Sequence, residues 1–174
     1  MKKHSLFIPE YVTENIYTIT PFLLAARGYR GVVFDLDNTV APYEHLQPDK
    51  ATQDYFAALA EAGVQTALVS NNRRERIELF NERLGVFIVA DAQKPSPRGV
   101  HRCIEAFGLP PEQVLFVGDQ IFTDCLAAHR AGVDCYLVKP IKSKETFFFR
   151  LKRAFEKPFL SIYRRRRINS KGCN

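Results

Sequence analysis

The chain has no run of 18 apolar residues, no CxxC pair, no cluster of histidines and cysteines, and no internal repeat. Each absence removes a class of protein. Without the apolar run no ordinary transmembrane helix is expected. The N-terminus MKKHSLFIPEYV opens with basic charge, as a secretory signal does. Pro9, Glu10 and Glu14 then interrupt any apolar core segment, and no small-residue cleavage site follows, so no signal is expected. Cys103, Cys125, Cys135 and Cys173 stand apart and read as reduced thiols of a cytoplasmic protein, not as a zinc site or a disulfide frame. Acidic residues are scarce in one place. Residues 139–174 carry 12 Lys and Arg against 2 Asp and Glu, a net of +10, while the other 138 residues carry 13 against 17. The body is mildly acidic and the basic character belongs to one C-terminal segment. No low-complexity tract stands out except RRRR at 164–167.

What is present is a chain of 174 residues, 46% of them hydrophobic, enough for one domain with a substantial core. Strand-like runs alternate with helix-like ones. GVVF (31–34), VQTALVS (64–70), VFIVA (86–90), VLFVG (114–118) and VDCYLV (133–138) read as strands. Between them, 49–63 reads as a helix with Tyr55, Phe56, Leu59 and Ala60 on one face and Gly63 as its stop. Residues 73–85 read as a helix with Ile77, Phe80 and Leu84 inward. Residues 96–108 read as a helix with Ser96 as N-cap and Pro97 at its first position, and 124–132 as another. This alternation predicts an α/β domain, a doubly wound parallel sheet with helices on both faces.

In such sheets ligands bind at the carboxyl ends of the strands. Polar residues gather there. Asp35 and Asp37 follow the first run, Ser70, Asn71 and Asn72 the second, Asp91 and Lys94 the third, Asp119 and Asp124 the fourth. One Asp after a strand is often only a helix cap or turn residue, and a lone lysine is usually solvated. Four clusters in order at four strand ends are hard to assign to capping. Converging carboxylates repel unless a cation holds them, and oxygen-only donors suit Mg²⁺, which keeps waters and accepts phosphate oxygens. One carboxylate can attack a phosphoryl group. A second, two residues on, can protonate the leaving oxygen and then activate water. Ser70, with the N–H groups opening the next helix, can hold phosphoryl oxygens, and Lys94 can offset their charge.

DLDNT (35–39), Ser70, Lys94 in KP, and GDQIFTD (118–124) resemble the four motifs of the haloacid dehalogenase (HAD) superfamily, with fitting order and spacing from residue 31 to about 138. The resemblance implies the HAD Rossmannoid fold. It implies that Asp35 is the nucleophile and a Mg²⁺ ligand. Asp37 would be the acid/base and lend its backbone carbonyl to the metal. Asp119 would be a further metal ligand, supported by Asp124. Ser70, Asn71 and Lys94 would hold the phosphate. An Asp at position 37 is similar to the phosphate-ester hydrolases of the superfamily, where transport ATPases generally carry Thr and dehalogenases lack the acid/base Asp. GDQIFTDCLAAHRAG (118–132) further resembles the signature of the small subclass IIIA phosphatases called YqeG-like, which are similar to a mitochondrial phosphatase of phosphatidylglycerophosphate. PEY (9–11) and a helix-like stretch before DLDNT fit as well. His129 stands where that signature usually has Asn, and is expected to be tolerated on a helix surface.

Room for a cap domain is also lacking. Thirty-two residues separate Asp37 from Ser70 and 23 separate Ser70 from Lys94, enough only for one helix and one strand each. A capless site is expected to be open, suiting a lipid headgroup, a protein or a nucleic-acid end, unless a neighbouring subunit closes it. Nothing in the sequence sets the oligomeric state. The domain is expected to span 1–157, and 158–174 to be a basic aromatic tail. In 143–157, Phe147, Phe148, Leu151, Ala154 and Phe155 recur at helical spacing and read as a last helix on the sheet. Phe159, Leu160, Ile162 and Tyr163 before RRRR read as a poor core element and resemble an interfacial anchor for 159–167. Binding of RNA by the basic run, or a disordered end, are the alternatives. The expectation is a Mg²⁺-dependent phosphomonoester phosphatase working through an aspartyl-phosphate. It would be cytoplasmic, or peripheral at the inner membrane face, with phosphatidylglycerophosphate as candidate substrate. An RNA- or ribosome-associated protein of the same fold, or a phosphatase of a soluble metabolite, are the alternatives.

Overall fold

The computed structural model describes residues 5–141, 156 and 158–163. Six strands form one all-parallel sheet: β1 (Tyr11–Thr13), β2 (Gly31–Asp35), β3 (Gln65–Val69), β4 (Phe87–Val89), β5 (Val114–Gly118) and β6 (Asp134–Val138). Their order is β1-β6-β5-β2-β3-β4. From β2 the chain winds outward through β3 to β4, then restarts at β5 on the other side of β2. The direction of winding therefore reverses between β2 and β5, where such sheets open a crevice at their carboxyl edge.

The central strands read as continuous apolar runs because both faces are covered. Val32, Phe34, Leu68, Leu115 and Val117 face one layer, built by Leu24 of α1 (Pro21–Arg27), Phe56 and Leu59 of α2 (Lys50–Glu61), and Ile77 and Phe80 of α3 (Arg74–Asn81). Val33, Ala67, Val69, Val114 and Phe116 face the other, where Val100, Cys103, Ile104 and Phe107 of α4 (Arg98–Phe107) and Ala127 and Ala128 of α5 (Leu126–Arg130) close over them. Among the described residues only α2 connects β2 to β3 and only α3 connects β3 to β4, so the absence of a cap matches the spacing. No helix among the described residues is long and apolar enough to cross a membrane.

Several details differ from the sequence reading. In α2 the third inward position is Thr52, not Ala60, which is exposed. Ser96 does not cap α4 directly. Pro97 already has helical angles (φ −76°, ψ −6°) and stands at the cap, while the Ser96 hydroxyl lies 3.4 Å from the Arg98 N–H. The helix expected over 124–132 is preceded by a wide π-turn, Ile121–Cys125, and α5 proper starts at Leu126. Strand β1 was not foreseen, because three residues are too few to show alternation. It adds to the sheet beside β6, pairing Tyr11 with Tyr136.

His129 is not on a helix surface. Its side chain is fully buried, with Nδ1 3.1 Å from the Leu6 carbonyl and Nε2 3.0 Å from a Glu10 carboxylate oxygen. That oxygen also accepts the Cys135 N–H at 2.7 Å. Burial opposes charge on the ring, but its bonds to Cys125 and Glu10 outweigh it and raise the pKa to about 10. With both ring nitrogens facing oxygen acceptors, the imidazolium latches the N-terminal lead-in to α5.

The segment after Pro158 also departs from expectation. Residues 158–163 are helical, and Tyr163 is buried, its hydroxyl accepting the Val12 N–H at 3.1 Å. Phe159 packs at 5.1 Å from the Phe7 ring and 5.8 Å from Phe122. Its ring and Leu160 lie on the second core layer. Phe159, Leu160 and Tyr163 thus serve the fold because β1 and the lead-in offer them an apolar seat, and Ile162 alone of the four is exposed. The aromatic face of 143–155, the RRRR run at 164–167 and Cys173 lie outside the described residues. Cys103, Cys125 and Cys135 are buried free thiols.

Candidate active site

The carboxyl ends of β2, β3 and β5, with the loop after β4, surround a cleft of about 360 Å³ lined by Asp35, Asp37, Ser70, Lys94, Gln120 and Asp124, among others. Asp35 is the last residue of β2 and buried. Asp119 follows β5 directly, and Asp124 lies in the π-turn. Carboxylate oxygens of Asp35, Asp119 and Asp124 lie within 4.8 Å of one another, all three residues buried. Thr39 donates to Asp119 at 3.5 Å.

The Asp124 carboxylate also has a structural task. One oxygen accepts the N–H groups of Asp119 (3.1 Å) and Gln120 (3.0 Å), fixing the turn that carries Asp119, and the other meets Lys94 Nζ at 2.8 Å. It packs so closely on Gly118 that a Cβ there would lie 2.5 Å from Asp124 Cβ and Oδ2. Gly118→Ala should therefore dislodge Asp124 and with it Lys94. Displacements of about 1 Å in a catalytic constellation can cost on the order of 100-fold in rate. A drop of that size in kcat/KM for p-nitrophenyl phosphate, in a protein that still melts cooperatively, is the expected result. Activity within threefold of wild type would show that the loop absorbs the methyl.

Lys94 is buried and pairs with both Asp35 and Asp124. Burial opposes its charge, yet the carboxylates of Asp124 and Asp35 raise its pKa above the ordinary value. For Asp35 the balance is reversed. Burial raises its pKa most, Lys94 lowers it, and Asp124 and Asp37 add to the rise, leaving the carboxyl pushed up to about 7. Three buried carboxylates thus face one buried ammonium. A divalent cation fits this donor set because it would balance the remaining negative charge, and every donor is an oxygen.

Asp37 does not point its carboxylate into that cluster. Its Oδ2 accepts the Ser70 hydroxyl (3.1 Å) and the Asn72 amide (2.6 Å), and its Oδ1 accepts Arg76 Nη2 (3.2 Å). With its carboxylate so engaged, the contact to a metal that the resemblance implies for Asp37 is through the backbone carbonyl alone. The Ser70 hydroxyl lies between the candidate acid/base and the next loop, where it accepts the Asn72 N–H at 2.9 Å. The Asn71 side chain is engaged elsewhere than expected of a phosphate ligand. It donates to the Lys94 carbonyl at 3.0 Å and accepts the Lys94 N–H at 2.7 Å, bracketing the lysine's backbone in place. Asp91 is exposed and does not line the cleft. Tyr43, Gln120 and Thr123 also line the cleft, and Arg76 reaches Asp37. Gln120 and Thr123 lie inside the GDQIFTD motif, whose position could have marked them, whereas Arg76 sits in a stretch legible only for its apolar face and nothing local marks Tyr43.

A family model described as haloacid dehalogenase-like hydrolase matches residues 41–132. The chain is 33% identical over 160 residues to the "Probable phosphatase YqeG" of Bacillus subtilis, covering 92% of this chain and 93% of that protein. The chain belongs to the haloacid dehalogenase-like hydrolases. It is also 28% identical over 146 residues to the chloroplastic phosphatidylglycerophosphate phosphatase 1 of Chlamydomonas reinhardtii, covering 79% of this chain and 54% of that protein. It thus spans about half the length of that relative. Among solved structures, the cobalt-bound deoxy-D-mannose-octulosonate 8-phosphate phosphatase of Haemophilus influenzae superposes with a TM-score of 0.52. The match has 14% identity over 79% of this chain and 90% of that one, a likeness of fold alone.

Proposed function

We propose that this phosphatase cleaves phosphomonoesters through a covalent phosphate on Asp35, with a divalent cation in the carboxylate cluster, and that its substrate is a lipid phosphate. The observation that carries the chemistry is the buried set of Asp35, Asp119 and Asp124 against Lys94 at the reversal of the sheet, with Asp37 two residues beyond Asp35. An Asp35 oxygen attacks phosphorus and the bond to the ester oxygen breaks, while Asp37 gives that oxygen a proton. Water then attacks the same phosphorus, Asp37 takes its proton, and the Asp35–phosphate bond breaks. Ser70 and Lys94 hold and neutralise the phosphoryl oxygens. A cation held by Asp35, Asp119 and the Asp37 carbonyl, with Asp124 in support, would supply further positive charge there. The all-oxygen donor set favours Mg²⁺.

Two features support the lipid substrate beside the relative's name. The cleft has no cap among the described residues, and exposed apolar side chains stand on the loops that follow the strand ends. Tyr17, Leu46 and Ile141 follow the carboxyl ends of β1, β2 and β6, with exposures of 41%, 55% and 45%. Tyr17 and Ile141 line a second groove of about 290 Å³, bordered by Pro42 and His45 of the loop that also brings Tyr43 to the cleft. Ile141 donates its N–H to the Asn38 carbonyl, joining that rim to the catalytic loop, and the basic C-terminal segment runs on from it.

Hydrolysis of phosphatidylglycerophosphate in anionic vesicles, beside p-nitrophenyl phosphate in solution, tests this. Leu46→Glu with Ile141→Glu removes apolar contact worth about 1.5 kcal/mol or more, about tenfold in rate on vesicles. The soluble ester should be hydrolysed as by wild type. An equal loss on both substrates would assign the rim to the fold and remove the structural support for a lipid.

A further inference from the structure

Arg76 has no role in the chemistry above, yet its placement is unusual. It lies in the first turn of α3 with its side chain only 10% exposed. Nη2 reaches Asp37 Oδ1 at 3.2 Å and the Pro42 carbonyl at 3.3 Å. Nε and Nη1 are buried with no hydrogen-bond partner among the described residues. The guanidinium lies 5.8 Å from the centre of the Tyr43 ring and 5.6 Å from that of Phe80. A buried cation with two unsatisfied donors is costly, and such groups persist where another function depends on them. Packing alone would be served better by leucine or methionine.

The geometry points to Arg76 as the positioning residue of Asp37, holding that carboxylate in place as the phosphate arrives. This rests on the acid/base role proposed for Asp37. Of the three donors on Asp37, the Ser70 hydroxyl lines the cleft and is the one that the proposed chemistry gives to a phosphoryl oxygen, so a substrate there competes for its proton. Asn72 and Arg76 then remain. Asn72 Nδ2 belongs to a neutral side chain. Arg76 is the charged donor, its plane fixed by two rings and a carbonyl, and charge-assisted bonds of this kind are the stronger. An Asp37 released from Arg76 would sample orientations in which its proton does not reach the leaving oxygen.

Kinetics on phenyl phosphate and p-nitrophenyl phosphate, in wild-type and Asp37→Asn backgrounds, tests the idea. Arg76→Met keeps most of the stem and removes the charge. It should lower kcat for phenyl phosphate about tenfold with KM little changed, and less for p-nitrophenyl phosphate, whose leaving group needs no proton. In the Asp37→Asn background the same change should have no further effect, since the two residues act as one unit. Arg76→Lys should fall between wild type and methionine, and it decides the matter if the methionine variant does not fold. Equal factors in both backgrounds, an equal loss on both esters, or a rise in KM at constant kcat would each overturn the assignment. If Asp37→Asn itself leaves phenyl phosphate turnover intact, the acid/base role of Asp37 fails first, and the role of Arg76 with it.

Discussion

Asp35→Asn should abolish turnover and, in EDTA at pH 8, make the protein more stable than wild type. The first half follows from chemistry. The amide is nearly isosteric with the carboxylate but cannot carry the phosphoryl group, so the loss should reach the detection limit on every ester. The second half follows from burial. The Asp35 carboxyl is pushed up to about 7 in the fold, from an ordinary value near 3.8. A group whose pKa is raised on folding binds its proton more tightly in the native state. Its stabilising contribution is complete below the unfolded value and is lost as the pH rises through about 7. At pH 8 without a cation, wild type therefore holds an ionised carboxylate that burial disfavours, and the neutral amide does not.

The gain should shrink toward pH 5, where wild-type Asp35 is itself largely protonated. Thermal melts of both proteins in EDTA at pH 5 and pH 8 read this directly. With millimolar Mg²⁺ the order at pH 8 should reverse, because a bound cation rewards the carboxylate and not the amide. A variant less stable than wild type at pH 8 in EDTA would mean that the Lys94 pair outweighs the desolvation of Asp35. Retained turnover would sink the covalent mechanism.

The central sheet was legible because β2, β5 and β6 are covered on both faces and so read as unbroken apolar runs. The strand ends that form the cleft were legible because the runs of β2, β3 and β5 stop at residues that an apolar core would not accept. What escaped has a common cause. Glu10, His129 and Leu6 meet across more than a hundred residues, and no local pattern announces such a pairing. His129 looked like a tolerated surface change because helical spacing says which residues share a face, not whether another segment lies on it. Phe159 and Tyr163 looked like an anchor for the same reason, their seat being built by Phe7, Phe122 and the backbone of Val12. Asn71 lines the cleft, as its position predicts. What no local pattern announces is that its amide also brackets Lys94, a partner 23 residues on that only the crossing of two loops brings near.

Lys94→Met should destabilise the fold as well as silence it. Lys94 is the cation that faces both Asp35 and Asp124, and its ammonium sits 5.7 Å from the centre of the Phe116 ring. Methionine fills much of the stem's volume, so the packing loss is small. The electrostatic loss is not. Removing one partner of a buried ion pair leaves an uncompensated buried charge, at about 3–5 kcal/mol. Two carboxylates lose their counter-charge here, so the effect should lie toward the upper end in EDTA. Asp35→Asn in the same chain should restore part of it, since only Asp124 then remains without its partner. That non-additivity is the signature of direct coupling. Urea unfolding of the two single variants and the double variant, with and without Mg²⁺, measures it. If the single costs add, the lysine acts on the fold through its stem or through Asp124 alone, and its pairing with Asp35 contributes nothing.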